Sequence, residues 1–178
     1  MITLHLVRHA DAAPGADDAA RPLTLRGVME ARTLARSLRL AGVPLDLVCS
    51  SPRRRALQTA ALLWPEGPDP TVVDELGAGD VVATAAALGR ACAAAATGSA
   101  NGASVVAAVG HEPWLSQLTA YLLTGDPDQI AIRYRKATVA TLEGRPAAGD
   151  MALVGLVPIY VARALLEAPA EADGGAPD

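Results

Sequence analysis

Ile2-Thr3-Leu4-His5-Leu6-Val7 runs straight into Arg8-His9, and the reading of these eight residues decides the fold. The first six are apolar and partly β-branched, the pattern of a short strand buried on both faces, and the chain turns polar where that strand must stop. Further along, the same pattern recurs. Leu45 to Cys49 reads as a second strand followed by Ser50-Ser51. Thr71-Val72-Val73 reads as a third, leading to Asp74-Glu75. Ser104 to Val109 reads as a fourth, ending at Gly110-His111.

Helices fill the gaps. The segment Asp11 to Pro22 is a loop rich in Ala, Asp, Pro and Gly. Thr24 can then cap a helix to about Leu40, with Val28, Ala31, Ala35 and Leu38 on one face. Ser51 suits an N-cap and Pro52 a first helical position, so a second helix carries Arg55, Ala56, Thr59, Ala60 and Leu63. An alanine-rich helix spans about Asp80 to Thr97, before a loop from Gly98 to Gly102. Another helix runs from Pro113 to about Leu123. Ala137 to Leu142 and Met151 to Val157 read as strands joined by a hairpin turn from Gly144 to Gly149, and a last helix spans about Pro158 to Leu166. Strands alternating with helices predict an α/β fold, a three-layer α/β/α sandwich on a mainly parallel central sheet. A chain of 178 residues suits one domain. We place it at residues 1–167, followed by a mobile, Ala-, Pro- and Gly-rich acidic tail over 168–178.

Composition narrows the function. A net charge of −4 without a basic face argues against a nucleic-acid partner. Cys49 and Cys92 are too few for a disulfide scaffold, and Cys49 reads as a buried thiol. No membrane partner is expected, because no apolar run approaches the roughly 20 residues a span needs. No signal peptide is visible before Arg8-His9, so a cytoplasmic location is expected. Fourteen arginines to a single lysine suggest a compositional bias, which removes weight from most individual Arg residues.

In parallel sheets, ligands sit beyond the carboxyl ends of the strands. Arg8-His9, Ser50-Ser51, Glu75 and His111 all fall there. Only three histidines are present, and His9 and His111 each directly follow an apolar strand. A neutral imidazole is a competent nucleophile toward phosphorus. A transferring phosphoryl group needs fixed cationic donors on its oxygens, and Arg forks supply two at a time. Arg8 and Arg55 provide them, with the N-terminus of the second helix adding partial positive charge. His5, within its strand, reads as structural. Arg53 and Arg54 read as an exposed helix face, and Glu112 as a solvated residue at a helix start. Metal ligation is disfavoured by spacing: no His pair stands at i, i+4 and no Cys lies beside either His. Neither a phosphate-binding Gly-rich loop nor a G-x-S-x-G elbow is present.

Leu6-Val7-Arg8-His9-Ala10-Asp11-Ala12 resembles the opening motif of the histidine phosphatase superfamily, also called phosphoglycerate mutase-like, with Ala10 where that motif has Gly. Ser51-Pro52-Arg53-Arg54-Arg55-Ala56-Leu57-Gln58-Thr59 resembles its second motif, S-x-x-x-R-A-x-Q-T. Val109-Gly110-His111-Glu112-Pro113 resembles the segment bearing its second His. The three follow in order over about residues 1–160. Arg8 to Ala12, with Asp18, Arg21, Pro22, Leu23 and Thr24, is most similar to the small SixA-type phosphohistidine phosphatases.

The resemblance implies that His9 is phosphorylated in line while Arg8, Arg55 and His111 stabilise the moving group, with no metal or organic cofactor. It places Asp18 and Arg21 near the pocket as substrate-binding residues. Glu75 stands where mutases of the superfamily have an acid, and Asp18 is its rival as proton donor; a phosphohistidine substrate, with its good leaving group, can react without either. One helix and one strand separate Glu75 from His111, which leaves no room for a large cap subdomain, so the pocket should be open and shallow. The expected partner is a phosphorylated protein or a small phosphorylated substrate, and the expected state a monomer or weak homodimer. Two alternatives stand beside the phosphohistidine phosphatase: a small-metabolite phosphatase, and a catalytically weak phosphate-binding regulatory module.

Overall fold

The apolar run that opens the chain becomes the third-from-edge strand of a six-stranded sheet. The computed structural model describes residues 1–67, 69–97 and 104–167. Its elements follow in the order β1 (Ile2–Arg8), α1 (Leu25–Leu40), β2 (Leu47–Ser50), α2 (Arg54–Leu63), β3 (Thr71–Val72), α3 (Glu75–Ala78), α4 (Val81–Thr97), β4 (Ser104–Gly110), α5 (Trp114–Thr124), β5 (Val139–Gly144), β6 (Met151–Val157) and α6 (Ile159–Glu167). The sheet order is β3-β2-β4-β1-β5-β6. β1, β2, β3 and β4 pair in parallel, while β5 and β6 run antiparallel as a hairpin at one edge. This is the mainly parallel α/β arrangement that the sequence predicts.

The two faces of the sheet are separate cores. Leu4 and Leu6 of β1 and Val106 and Ala108 of β4 pack with Leu88 and Cys92 of α4 and Leu115, Leu118 and Leu122 of α5. The alternating residues Val7, Ala107 and Val109 pack with Leu34, Ala35 and Leu38 of α1 and Ala56, Ala60 and Leu63 of α2. Successive side chains of a strand point to opposite faces, so a strand that is apolar throughout demands cover on both. In a chain without Phe, alanines such as Ala35, Ala56 and Ala60 line the contact between helix and sheet. Both cysteines are buried and free. Between Glu75 and β4 the described residues form only α3 and α4, so no cap subdomain covers the sheet edge there. No helix among the described residues is long and apolar enough to cross a membrane.

Several boundaries differ from those read in the sequence. α2 begins at Arg54, two residues later than Ser51-Pro52 suggested, with Arg53 extended (φ −68, ψ 134). The Ser51 hydroxyl is engaged elsewhere: it bonds His111 Nε2 at 2.8 Å and accepts from the Arg53 N–H at 3.3 Å. β2 is shifted to Leu47–Ser50. β5 starts at Val139 because Ala137 adopts a left-handed backbone (φ 53). From there the Ala137 N–H approaches the carbonyls of Arg8 at 3.1 Å and His9 at 3.3 Å. The one-turn helix α3 was not anticipated. The loop expected over Gly98 to Gly102 and the mobile tail over 168–178 lie outside the described residues.

Candidate active site

His9 sits one residue beyond β1, and His111 one residue beyond β4, the neighbouring parallel strand. Adjacent strands that end together deliver both rings to one place, with centroids 5.0 Å apart. Both are buried, at 7% and 3% exposure. The His9 tautomer follows from its partners. Nδ1 lies 2.7 Å from the Ala10 carbonyl, which can only accept, so Nδ1 carries the proton. Nε2 is left with its lone pair, and it accepts from Arg55 Nε at 3.2 Å. Burial, followed by the nearby charges of Arg55, Arg8 and Lys136, pushes His9 down to about 4 despite the Ala10 hydrogen bond. The ring is therefore neutral at neutral pH.

The loop after β1 is fastened from α2 and α1. The Ala10 N–H donates to Thr59 Oγ1, which itself donates to the Arg55 carbonyl. Gln58 Oε1 accepts from the Leu23 N–H. Glu30, buried on the inner face of α1, accepts from the Asp11 N–H. Ala10 is fully buried, and Ala137 is the one non-glycine with positive φ among the described residues, so Ala fits at position 10 without strain. Asp11 pairs with Lys136.

Arg55 is buried in the first turn of α2 and spends its whole fork locally. Besides His9, it donates from Nη1 to the Asp18 carbonyl at 2.5 Å and from Nη2 to Asp18 Oδ2 at 3.0 Å. Arg21 donates to Asp18 Oδ1 at 2.9 Å. The Arg55 and Arg21 hydrogen bonds hold the Asp18 carboxyl down to about 2. Arg8 donates from Nη1 to the Tyr134 carbonyl at 2.7 Å, and its Nε is buried without a partner among the described residues. His111 Nε2 meets Ser51 Oγ, and its Nδ1 is likewise buried and unpartnered there. Burial first, then His9, Arg55 and Arg53, lowers His111 to about 3.

Glu75 is not in contact with the histidine pair by hydrogen bond. It lines a hollow of about 10 Å³, together with His111, Trp114 and Thr84. A hollow of that size has room for about one water. Its carboxylate is 3.8 Å from the exposed Arg90. His5 is structural as expected, bonded through Nδ1 to Thr141 Oγ1 at 3.0 Å. Two readings require correction. Arg53 is not an exposed helix face: it precedes α2, donates to Asp18 and Gly77, and lies 5.2 Å over the Trp114 ring. Glu112 is half-buried rather than solvated, because it accepts from Ser116 Oγ at 2.6 Å. The sequence did not single out Trp114; its one signal was a position three residues after His111. Among the described residues no three His, Cys, Asp or Glu side chains group to hold a metal ion.

Residues 4–78 match the family model of the histidine phosphatase superfamily (branch 1). No curated protein matches the sequence. The structure of the protein histidine phosphatase SixA complexed with tungstate is 26% identical with a TM-score of 0.75, covering 89% of this chain and 97% of that one. A candidate phosphohistidine phosphatase SixA from Nakamurella multipartitia is 28% identical with a TM-score of 0.69, covering 87% and 94%. A phosphoserine phosphatase from Entamoeba histolytica in complex with 3-phosphoglyceric acid shares the fold at 16% identity and a TM-score of 0.66, covering 88% and 96%.

Proposed function

We propose that this chain is a histidine phosphatase that hydrolyses a phosphohistidine-bearing protein through a phosphorylated His9. The observation that carries this reading is the His9 ring itself. Its Nδ1–H is pinned by Ala10 and its Nε2 lone pair is held neutral beside Arg55 and His111.

In the first half-reaction Nε2 attacks phosphorus, the new N–P bond forms, and the bond to the leaving group breaks. The Arg55 Nε–H turns from Nε2 to a phosphoryl oxygen, and Arg8 contributes a second fork. A Ser51 hydroxyl donating to His111 Nε2 leaves the His111 proton on Nδ1, where it can donate to another oxygen. These preset donors stabilise the charge spread over the equatorial oxygens. Water then attacks phosphorus, the N–P bond breaks, and inorganic phosphate and neutral His9 are released. Asp18 is a poor proton donor, because its ion pairs keep it ionised. Glu75, in the hollow beside His111, is the better-placed acid for a leaving group that needs one.

Likeness to the SixA structure and an edge without a cap subdomain both favour a bulky phosphoprotein over a small metabolite. Turnover of a phosphohistidine protein should be compared with that of sugar phosphates and nucleotides at equal concentration. The phosphoprotein is expected to give the highest kcat/KM. A sugar phosphate or nucleotide ranked above it would contradict the substrate assignment, and folded protein that turns over none of them would leave a phosphate-binding module.

A further inference from the structure

We propose that Arg53 is an additional phosphoryl-binding residue and that the Asp18 carboxylate is its resident counter-ion, displaced when substrate enters; the inference rests on the phosphatase reading above. Asp18 Oδ2 is shared by two guanidinium groups, 2.9 Å from Arg53 Nη1 and 3.0 Å from Arg55 Nη2. One oxyanion held between two Arg forks is the contact pattern of a phosphoryl oxygen. Arg55 extends the match, because the same side chain reaches His9 Nε2 through its Nε. The Asp18 oxygen therefore marks an anion position one guanidinium edge away from the reacting nitrogen.

Arg53 is held in place for this use without Asp18. Its backbone is extended, one residue ahead of α2. Nη2 donates to the Gly77 carbonyl at 3.2 Å, and the guanidinium stacks on Trp114, whose ring meets His111 edge-on at 6.5 Å. Gly79, at φ +85, backs the indole so closely that a Cβ would lie 2.5 Å from Trp114 Nε1. Asp18, by contrast, is 52% exposed. Its pairs with the partly exposed Arg21 and Arg53 are screened by water, and an entering phosphoryl oxygen would replace it on the buried Arg55. Three arginines, 21, 53 and 55, surround that one carboxylate. A phosphoryl dianion answers their charge better than a single carboxylate does.

The test is calorimetric binding of inorganic phosphate, at fixed ionic strength, to the wild-type chain, Asp18→Asn, Arg53→Met, Arg53→Lys and Arg54→Met. Met keeps the stem against Trp114, and thermal unfolding checks that each variant folds. Asp18→Asn is expected to bind phosphate several-fold tighter, because the competitor is gone, whereas a purely structural Asp18 would bind it more weakly. Arg53→Met is expected to lose about tenfold in affinity, the scale of one charge-assisted hydrogen bond, with partial recovery in Arg53→Lys. The exposed Arg54 serves as the control and should match wild type. Weaker binding in Asp18→Asn, or unchanged binding in Arg53→Met, overturns the inference while leaving the phosphatase reading intact. Phosphate binding absent from the folded wild-type chain overturns both.

Discussion

His9 and His111 are alike in burial and differ in what holds them. His9 Nδ1 is spent on a main-chain carbonyl, which fixes both ring orientation and tautomer; His111 rests on the Ser51 hydroxyl and keeps a buried nitrogen unpartnered among the described residues. A buried polar nitrogen costs free energy unless it has a partner, and a phosphoryl oxygen between the rings would supply one. His111→Ala should therefore lower kcat by roughly 10²–10³-fold, the usual cost of one preorganised donor, when hydrolysis of an aryl phosphate is followed at saturating substrate. A loss of less than tenfold would remove His111 from the reaction. At this scale, the sequence revealed the residues that end strands. It hid Arg53, because an Arg-rich composition makes any one arginine look ordinary. The triple pairing of Asp18 was equally invisible, since its partners stand up to 37 residues away.

At the scale of elements, the loop after β1 is clamped between two helices. Thr59 and Gln58 of α2 hold Ala10 and Leu23, and Glu30 of α1 holds Asp11. α1 can come this near because position 27 is glycine: a Cβ there would lie 2.0 Å from the Asp11 carbonyl oxygen. Gly27→Ala should destabilise the fold by about 2 kcal/mol or more, a fall in Tm of roughly 4–8 °C for a chain of this size. An unchanged Tm would contradict that close approach. The apolar spacing made α1 legible, yet it gave no hint of Glu30, since a charged residue at 2% exposure runs against the rule that carboxylates face water. The start of α2 was misplaced for a related reason. Ser51 has the chemistry of a cap, but a longer-range partner, His111, claims its hydroxyl.

For the whole molecule, three buried imidazoles link stability to pH. Burial lowers His5 and His9 from 6.5 to about 4 and His111 to about 3. The unfolded chain thus binds protons that the native chain refuses, so stability is full above pH 6.5 and falls as pH drops toward 4. The ion-paired Asp18, held down to about 2, loses its contribution only below the ordinary carboxylate value of 3.8, which leaves the higher window to the histidines. Tm should accordingly decline between pH 7 and pH 5, and a flat profile would mean that the rings are solvated. The parallel sheet is what gathers these groups, since strands adjacent in space but about a hundred residues apart in sequence end at one edge. That edge was readable from the alternation of strands and helices; the distances across it were not. The account stands or falls on His9 Nε2 as the nucleophile. The direct measurement is to mix the protein with a phosphorylated substrate, quench in alkaline denaturant that preserves phosphohistidine, and map the label by mass spectrometry. We predict one phosphoryl group on His9, absent in His9→Ala; sustained turnover with the label elsewhere, or undiminished turnover in His9→Ala, would contradict it.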